Sequence, residues 1–145
     1  MTSVGIIGAS GFTGAELLRI CAQHPELDVA FATGDSQAGT ALADLYPSLA
    51  AAYGSMTYQR WDPGMAADAE VVFLGLPHGA SQQIVGDLVG RARVVIDLGA
   101  DFRLRTPADY EEWYGEAHTR ADLLDRFVYG LPELYRDQLR GADCI

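Results

Sequence analysis

Three evenly spaced glycines near the amino terminus constrain the fold of this chain more than any other feature. Gly8, Gly11 and Gly14 follow an apolar run that begins at Val4, and they open a stretch, residues 12–23, with apolar side chains every three or four positions. A strand, a glycine turn and a helix in this order are typical of a dinucleotide-binding βα unit. The turn must bring backbone N–H groups close to a pyrophosphate, and side chains there would block it. The loop therefore predicts a dinucleotide site, although a tight turn without a ligand would use glycines too.

Short apolar runs alternate with helical periodicity along the rest of the chain. This alternation predicts an α/β fold of the Rossmann type, a doubly wound and mostly parallel sheet with helices on both faces. The predicted strands are Val4–Gly8, Asp28–Thr33, Thr57–Trp61, Glu70–Leu74 and Arg93–Leu98. The predicted helices cover about residues 12–23 and 80–89, with one short helix in the Gly- and Ala-rich connection Gly34–Ser55.

A charged and aromatic segment follows Asp101 and predicts a lobe beside the sheet. Pro107 is placed to open a helix, because proline is favoured in a first helical turn. A last helical turn is expected after Pro132, and Ala142–Ile145 has the pattern of another strand that is just beginning. We therefore expect residues 1–145 to be one nucleotide-binding domain that is cut before the end of the protein.

The net charge and the cysteine count narrow the classes of function. The formal charge is −10, which repels nucleic-acid phosphates and anionic membranes. The amino-terminal segment lacks the basic and long apolar stretches of a signal peptide, so we expect a cytoplasmic protein without nucleic-acid or membrane partners. Cys21 and Cys144 have no zinc-ligand spacing and are predicted to be buried, so no metal site is expected.

The start of the first predicted helix and the end of the second predicted strand carry further residues that could shape or bind the cofactor site. Thr13 and Glu16 have the spacing of a capping box, which would stabilise the helix start. Asp35 lies 21 residues beyond Gly14, where an acid normally binds the adenosine ribose. Its carboxylate would favour the 2′-hydroxyl of NAD, whereas hydroxyls and amides of Thr33 to Ser36 could hold the 2′-phosphate of NADP. An ordinary turn residue is the alternative for Asp35.

Two later positions point to the substrate side of such a site. His78 follows the fourth predicted strand, at the edge where α/β sheets bind ligands, and it either lines the nicotinamide or substrate side or is an exposed loop residue. Arg103 follows the fifth, and its guanidinium suits a phosphate or a carboxylate. A structural ion pair with a neighbouring acid is the alternative for Arg103.

Five segments together resemble N-acetyl-gamma-glutamyl-phosphate reductases, from end to end of the chain. They are Gly8-Ala9-Ser10-Gly11-Phe12-Thr13-Gly14-Ala15-Glu16-Leu17, Phe73-Leu74-Gly75-Leu76-Pro77-His78-Gly79, Asp97-Leu98-Gly99-Ala100-Asp101-Phe102-Arg103-Leu104, Tyr110-Glu111-Glu112-Trp113-Tyr114 and Tyr129-Gly130-Leu131-Pro132-Glu133. The first is shared with many dehydrogenases, and the other four in this order are more specific.

The resemblance implies NADPH-dependent reduction of an acyl phosphate to an aldehyde in arginine biosynthesis, by an enzyme that is a homo-oligomer at full length. It implies that a cysteine and a histidine beyond residue 145 do the chemistry, so no catalytic residue is expected in this chain and Cys144 is not the nucleophile. The implied cofactor contacts are Gly8, Ser10, Gly11, Phe12, Thr13, Gly14, Ser36 and Pro77, and Arg103 is the implied contact of the substrate anion. Many family members have Ser-Arg where this chain has Gly34-Asp35, which puts the preference for NADP over NAD in question.

Three other functions fit the same sequence. The lysine-pathway reductase of an aminoadipyl phosphate and aspartate-semialdehyde dehydrogenase share the reaction type and differ in the substrate. A non-catalytic dinucleotide-binding module, such as a redox-sensing regulator, is the alternative from another class.

Overall fold

Four parallel strands form the centre of the molecule. The computed structural model describes residues 1–145, and its strands are β1 (Thr2–Ile7), β2 (Leu27–Ala32), β3 (Val71–Leu74) and β4 (Val94–Asp97), in the spatial order β2-β1-β3-β4. All three pairings are parallel. The helices are α1 (Phe12–Gln23), α2 (Leu42–Leu45), α3 (Ala50–Tyr53), α4 (Ser81–Leu88), α5 (Pro107–Tyr114) and α6 (Pro132–Leu139). The α/β, Rossmann-type prediction is confirmed.

Alternate side chains of β1 enter two separate cores, one on each face of the sheet. Val4 and Ile6 pack with Leu18 of α1, whereas Ile7 packs with Val85 and Leu88 of α4. Because successive strand residues point to opposite faces, this division places α1 and α4 on opposite sides of the sheet. The double winding expected from the alternating pattern is thereby confirmed.

Both outer edges of the sheet carry short parallel pairings beyond the four strands. Gln59 pairs with Thr33 next to β2, and Cys144 pairs with Val95 of β4. The predicted strand Thr57–Trp61 is therefore reduced to isolated bridges at Thr57 and Gln59. The start of a strand predicted at Ala142–Ile145 is confirmed by hydrogen bonds of 2.8 to 2.9 Å to β4.

The connections differ from the prediction in the middle of the chain. Residues 34–55 hold two short helices, α2 and α3, rather than one, together with 3₁₀ turns at Asp35–Gln37 and Pro47–Leu49. The helix predicted at Pro107 is present as α5, with the Thr106 side chain accepting a hydrogen bond from the Asp109 N–H. None of the helices is both long and apolar enough to span a membrane.

Candidate functional site

A cleft of about 640 Å³ opens at the carboxyl ends of β1, β2 and β3. The chain runs from β1 to β2 on one side and later returns to β3 on the other, so the cleft lies at the point where the strand order reverses. Ligands of open parallel sheets bind at such points. Its lining residues are Ile7, Gly8, Ser10, Gly11, Thr33, Gly34, Asp35, Ser36, Trp61, Gly75, Leu76, Pro77, Ala80, Gln83 and Ile84.

Two of the three loop glycines are required by the fold itself. Gly8 has φ +81°, and a Cβ there would lie 2.4 Å from the carbonyl oxygen of Gly75. A Cβ on Gly14 would lie 2.3 Å from the Cα of Ala9, so only a hydrogen lets α1 pack this close to the loop. Both glycines therefore permit the turn and the helix packing, whether or not a ligand binds.

Gly11 has no such structural requirement. Its φ of −78° suits any residue, and a Cβ would have only one neighbour within 4 Å, the Gly8 carbonyl oxygen at 3.6 Å. Yet Gly11 is the N-cap of α1, a position where Ser, Asp or Asn would stabilise a helix better. A glycine that the fold does not need, on the wall of the cleft, fits the close approach of a ligand.

The start of α1 has no acceptor within the protein. No side chain caps the helix, and the backbone N–H groups of Phe12, Thr13 and Gly14 donate to no backbone carbonyl. Together with the positive end of the helix dipole, these free donors suit an anion. Phe12 is 90% exposed, and neither Phe12 nor Thr13 lines the cleft with its side chain. Their predicted contacts with a cofactor therefore depend on the backbone N–H groups.

The predicted capping box at this helix is wrong. The helix begins at Phe12, so Thr13 lies inside the first turn and cannot be the N-cap. Glu16 instead accepts hydrogen bonds from Arg19, at 2.6 and 2.8 Å, and this pairing lowers the pKa of the Glu16 carboxyl. The helix start is left open as a result.

The 3₁₀ turn after β2 brings Asp35 and Ser36 to the cleft, and their contacts with a cofactor stay a prediction. Both residues are exposed, and their N–H groups donate to no backbone carbonyl. No arginine lines the cleft, and Asp35 is its one charged residue. A phosphate beside Asp35 would meet backbone N–H groups and hydroxyls, with the Asp35 carboxylate opposing it.

Pro77 lines the opposite wall of the cleft, with neighbours that the sequence analysis did not identify. Trp61, Gln83 and Ile84 reach the cleft from the segment beside β2 and from α4. The only available signal was that α4 follows the carboxyl end of β3, where its first turns face the same edge of the sheet. No local sequence pattern indicates that Trp61 reaches the cleft.

His78 lies outside the residues that line the cleft. Its Nε2 is 3.0 Å from the Tyr110 hydroxyl and 3.0 Å from Glu116 Oε1, and its ring packs against Tyr114 at 4.8 Å between centroids. These contacts attach the loop before α4 to α5. A role of His78 toward a substrate stays a prediction.

Arg103 lines a second cleft of about 310 Å³ at the end of β4. Its Nη2 donates to the carbonyl oxygens of Gly99 at 3.1 Å and Leu98 at 3.5 Å, and the side chain forms no ion pair. The ion-pair alternative for Arg103 therefore has no support in the structure. Two backbone carbonyls orient the guanidinium and leave donors for an anion.

Two carboxyl groups meet at the start of α4, and sequence reasoning missed both. Asp101 is 1% exposed, and its carboxylate accepts hydrogen bonds from the N–H of Gly79 at 2.8 Å and of Gln82 at 3.3 Å. Asp97 accepts from the Ser81 hydroxyl at 3.0 Å, while its second oxygen is buried without a partner. Burial raises the pKa of Asp97. Asp101 thus fills the start of α4 with a charge of the protein's own.

The two cysteines are buried, as predicted. Cys144 is 1% exposed, and burial, with Asp143 nearby, raises the pKa of its thiol to about 11. Cys21 is 4% exposed, and burial raises its pKa as well. A nucleophilic cysteine needs an accessible, low-pKa thiol, and neither residue has one.

A family model and curated relatives match the chain over nearly its whole length. Residues 3–142 match the model described as semialdehyde dehydrogenase, NAD binding domain. N-acetyl-gamma-glutamyl-phosphate reductases are 45% identical in Pseudomonas entomophila (strain L48) and 43% identical in Azotobacter vinelandii (strain DJ / ATCC BAA-1303), in each case over 100% of this chain. The chain spans 42% of the length of these relatives.

Solved structures show the same fold at low sequence identity. An aspartate semialdehyde dehydrogenase with NADP from Candida albicans has a TM-score of 0.62 at 20% identity, covering 74% of this chain and 32% of that one. A short-chain dehydrogenase/reductase from Veillonella parvula DSM 2008 has a TM-score of 0.53 at 21% identity, covering 92% of this chain and 73% of that one.

Proposed function

Because this chain belongs to the semialdehyde dehydrogenase NAD-binding domain family, we propose that it holds the nicotinamide dinucleotide of an N-acetyl-gamma-glutamyl-phosphate reductase. The observation that carries the proposal is the uncapped start of α1, which opens on the cleft beside Gly11. Relatives with this name match every part of the chain, which favours this substrate over the lysine-pathway and aspartate-semialdehyde alternatives.

The residues present fit such a cofactor. The free N–H groups at the start of α1 would hold the pyrophosphate, since the cleft has no basic side chain to do so. Leu76, Ile84 and Trp61 supply an apolar wall of the kind that flat rings need. When bound, the dinucleotide supplies the hydride for the reduction.

We propose NADP as the preferred form, held at its 2′-phosphate by Ser36 and by the free N–H groups of Asp35 and Ser36. The carboxylate of Asp35 repels that phosphate and therefore limits the affinity for NADP. The Candida albicans dehydrogenase of the same fold is described with NADP.

The acyl phosphate is proposed to bind in the second cleft, with Arg103 on its anionic group. The guanidinium is oriented by Leu98 and Gly99 and forms no salt bridge, which suits this role. The nucleophilic cysteine and the acid/base histidine that the resemblance implies are proposed to lie outside this chain, as is the surface of a homo-oligomer. The burial and raised pKa of Cys144 support its exclusion as the nucleophile.

A fluorescence titration of the chain with NADPH and with NADH tests the cofactor proposal. We expect NADPH to bind more tightly, and Asp35→Asn to tighten NADPH by about fivefold, because one unit of charge repulsion near water is worth about 1 kcal/mol. Asp44→Asn, an exposed acid of α2 outside the cleft, is the matched control and should change neither affinity. Tighter binding of NADH would reverse the proposed preference, and binding of neither nucleotide by the folded chain would overturn the proposal as a whole.

A further inference from the structure

A tyrosine outside the cleft holds the backbone of the glycine loop. Tyr46 lies between α2 and the following 3₁₀ turn, and its hydroxyl donates to the carbonyl oxygen of Ser10 at 2.9 Å, across 36 residues of chain. We propose that Tyr46 is a positioning residue for the dinucleotide pyrophosphate, acting through the Ser10–Gly11 peptide. This inference rests on the proposed function, because it assumes that a dinucleotide occupies the cleft.

The Ser10–Gly11 peptide has little support from the rest of the glycine loop. The preceding residue is fixed, since the Ala9 N–H donates to the Thr33 carbonyl at 2.7 Å. The Gly11 N–H makes only a 3.3 Å bond to Gly8, at the long end for an amide donor. Without the Tyr46 hydroxyl, the Ser10 carbonyl has no donor from a side chain.

Fixing one end of a peptide group fixes the other. The peptide is planar and trans, so its C=O and N–H point in opposite directions. A hydroxyl that holds the Ser10 carbonyl therefore also sets the direction of the Gly11 N–H and the start of α1. Both Ser10 and Gly11 line the cleft, whereas Tyr46 does not. Tyr46 thus acts on a ligand through this peptide alone.

A second tyrosine that contacts α1 provides a matched control. The Tyr53 hydroxyl donates to the carbonyl oxygen of Leu18 at 3.0 Å, further along α1. Tyr46 and Tyr53 are both partly buried, and both bonds join a phenol to a backbone carbonyl. Leu18 does not line the cleft. Each substitution to Phe removes one phenol-to-carbonyl hydrogen bond, and only the Tyr46 bond reaches the loop.

The test compares the Tyr46→Phe and Tyr53→Phe variants. Calorimetry measures the affinity of each variant for two probes, NADP and adenosine 2′-monophosphate. The second probe has the adenosine and the 2′-phosphate but no pyrophosphate. We expect Tyr46→Phe to weaken NADP binding about fivefold to tenfold, as for the loss of one hydrogen bond. Its affinity for adenosine 2′-monophosphate should stay within about twofold of that of the unaltered chain. Tyr53→Phe should change neither affinity, and urea unfolding should show that both variants are folded.

Two results would overturn the inference. One is an equal affinity for NADP in the two variants. The other is a Tyr46→Phe variant whose affinities for both probes fall by the same factor, which would mean that the whole cleft has loosened. Failure of the unaltered chain to bind either NADP or NAD would overturn the proposed function itself, so the two failures are distinguishable.

Discussion

The starts of α1 and α4 lie at the same edge of the sheet, but their free N–H groups are treated in opposite ways. At α4 the buried carboxylate of Asp101 accepts hydrogen bonds from the N–H groups of Gly79 and Gln82. At α1 the N-cap is Gly11, and the first N–H groups have no acceptor. A helix start that the protein fills with its own anion serves the fold, and one left open against a cleft is available for the anion of a ligand. The start of α4 therefore stabilises the fold, whereas the start of α1 is available to a ligand.

The largest expected effect is the loss of stability when the carboxylate at the start of α4 is removed. Asp101→Asn places an NH₂ group against N–H donors in a buried position, and we expect it to lower the free energy of unfolding by about 3 kcal/mol. Urea unfolding measures this. Asp109→Asn, on the exposed surface of α5, is the control and should have little effect. If Asp101→Asn unfolds at the same urea concentration as the control, the start of α4 does not depend on the carboxylate.

The next effect separates the glycines of the open helix start. In Gly14→Ala the new methyl would overlap the backbone of Ala9, and we expect a loss of about 2 kcal/mol in the free energy of unfolding. Gly11→Ala meets no atom closer than 3.6 Å and should lose less than about 1 kcal/mol, because alanine is a poor N-cap. Thermal and urea unfolding of the two variants check this. Equal losses would mean that Gly11 is also required by the fold.

The smallest effect is a pH dependence at the start of α4. Burial raises the pKa of Asp97 above its ordinary value of 3.8, so the folded state holds this proton more tightly than the unfolded state does. The resulting stabilisation is fully present below the ordinary value and is lost as the pH rises through the raised pKa. We therefore expect the urea midpoint of the unaltered chain to fall relative to that of Asp97→Asn as the pH increases over this window. Parallel midpoints at every pH would show that Asp97 does not titrate in this way.

The elements that local sequence determines were predicted well. Helix α1 begins and ends as expected, because a glycine turn precedes it and Pro25 follows it. The strand expected at Thr57–Trp61 was wrong in extent, since this edge segment pairs with β2 only through Gln59. The two short helices of residues 42–53 leave too few turns for a helical period to appear in the sequence.

The candidate site was predictable where it follows a strand and was not where it depends on distant packing. Asp35, Ser36 and Pro77 line the cleft because each follows the carboxyl end of a strand. The partner of Asp101 is a helix start 19 to 22 residues away, and no local motif marks that contact. The Tyr46 contact with Ser10 spans 36 residues and was invisible for the same reason.

Placing a carboxylate at the start of α1, like the one at the start of α4, tests most directly whether this open helix start binds the dinucleotide. Gly11→Asp has a backbone conformation open to any residue and adds a favourable N-cap, so we expect the free energy of unfolding to stay the same or rise by up to about 1 kcal/mol. The same carboxylate would occupy the place of the pyrophosphate, and NADPH affinity should fall by roughly a hundredfold or more. A folded Gly11→Asp chain that binds NADPH as tightly as the unaltered chain would contradict the claim that this open helix start is the dinucleotide site.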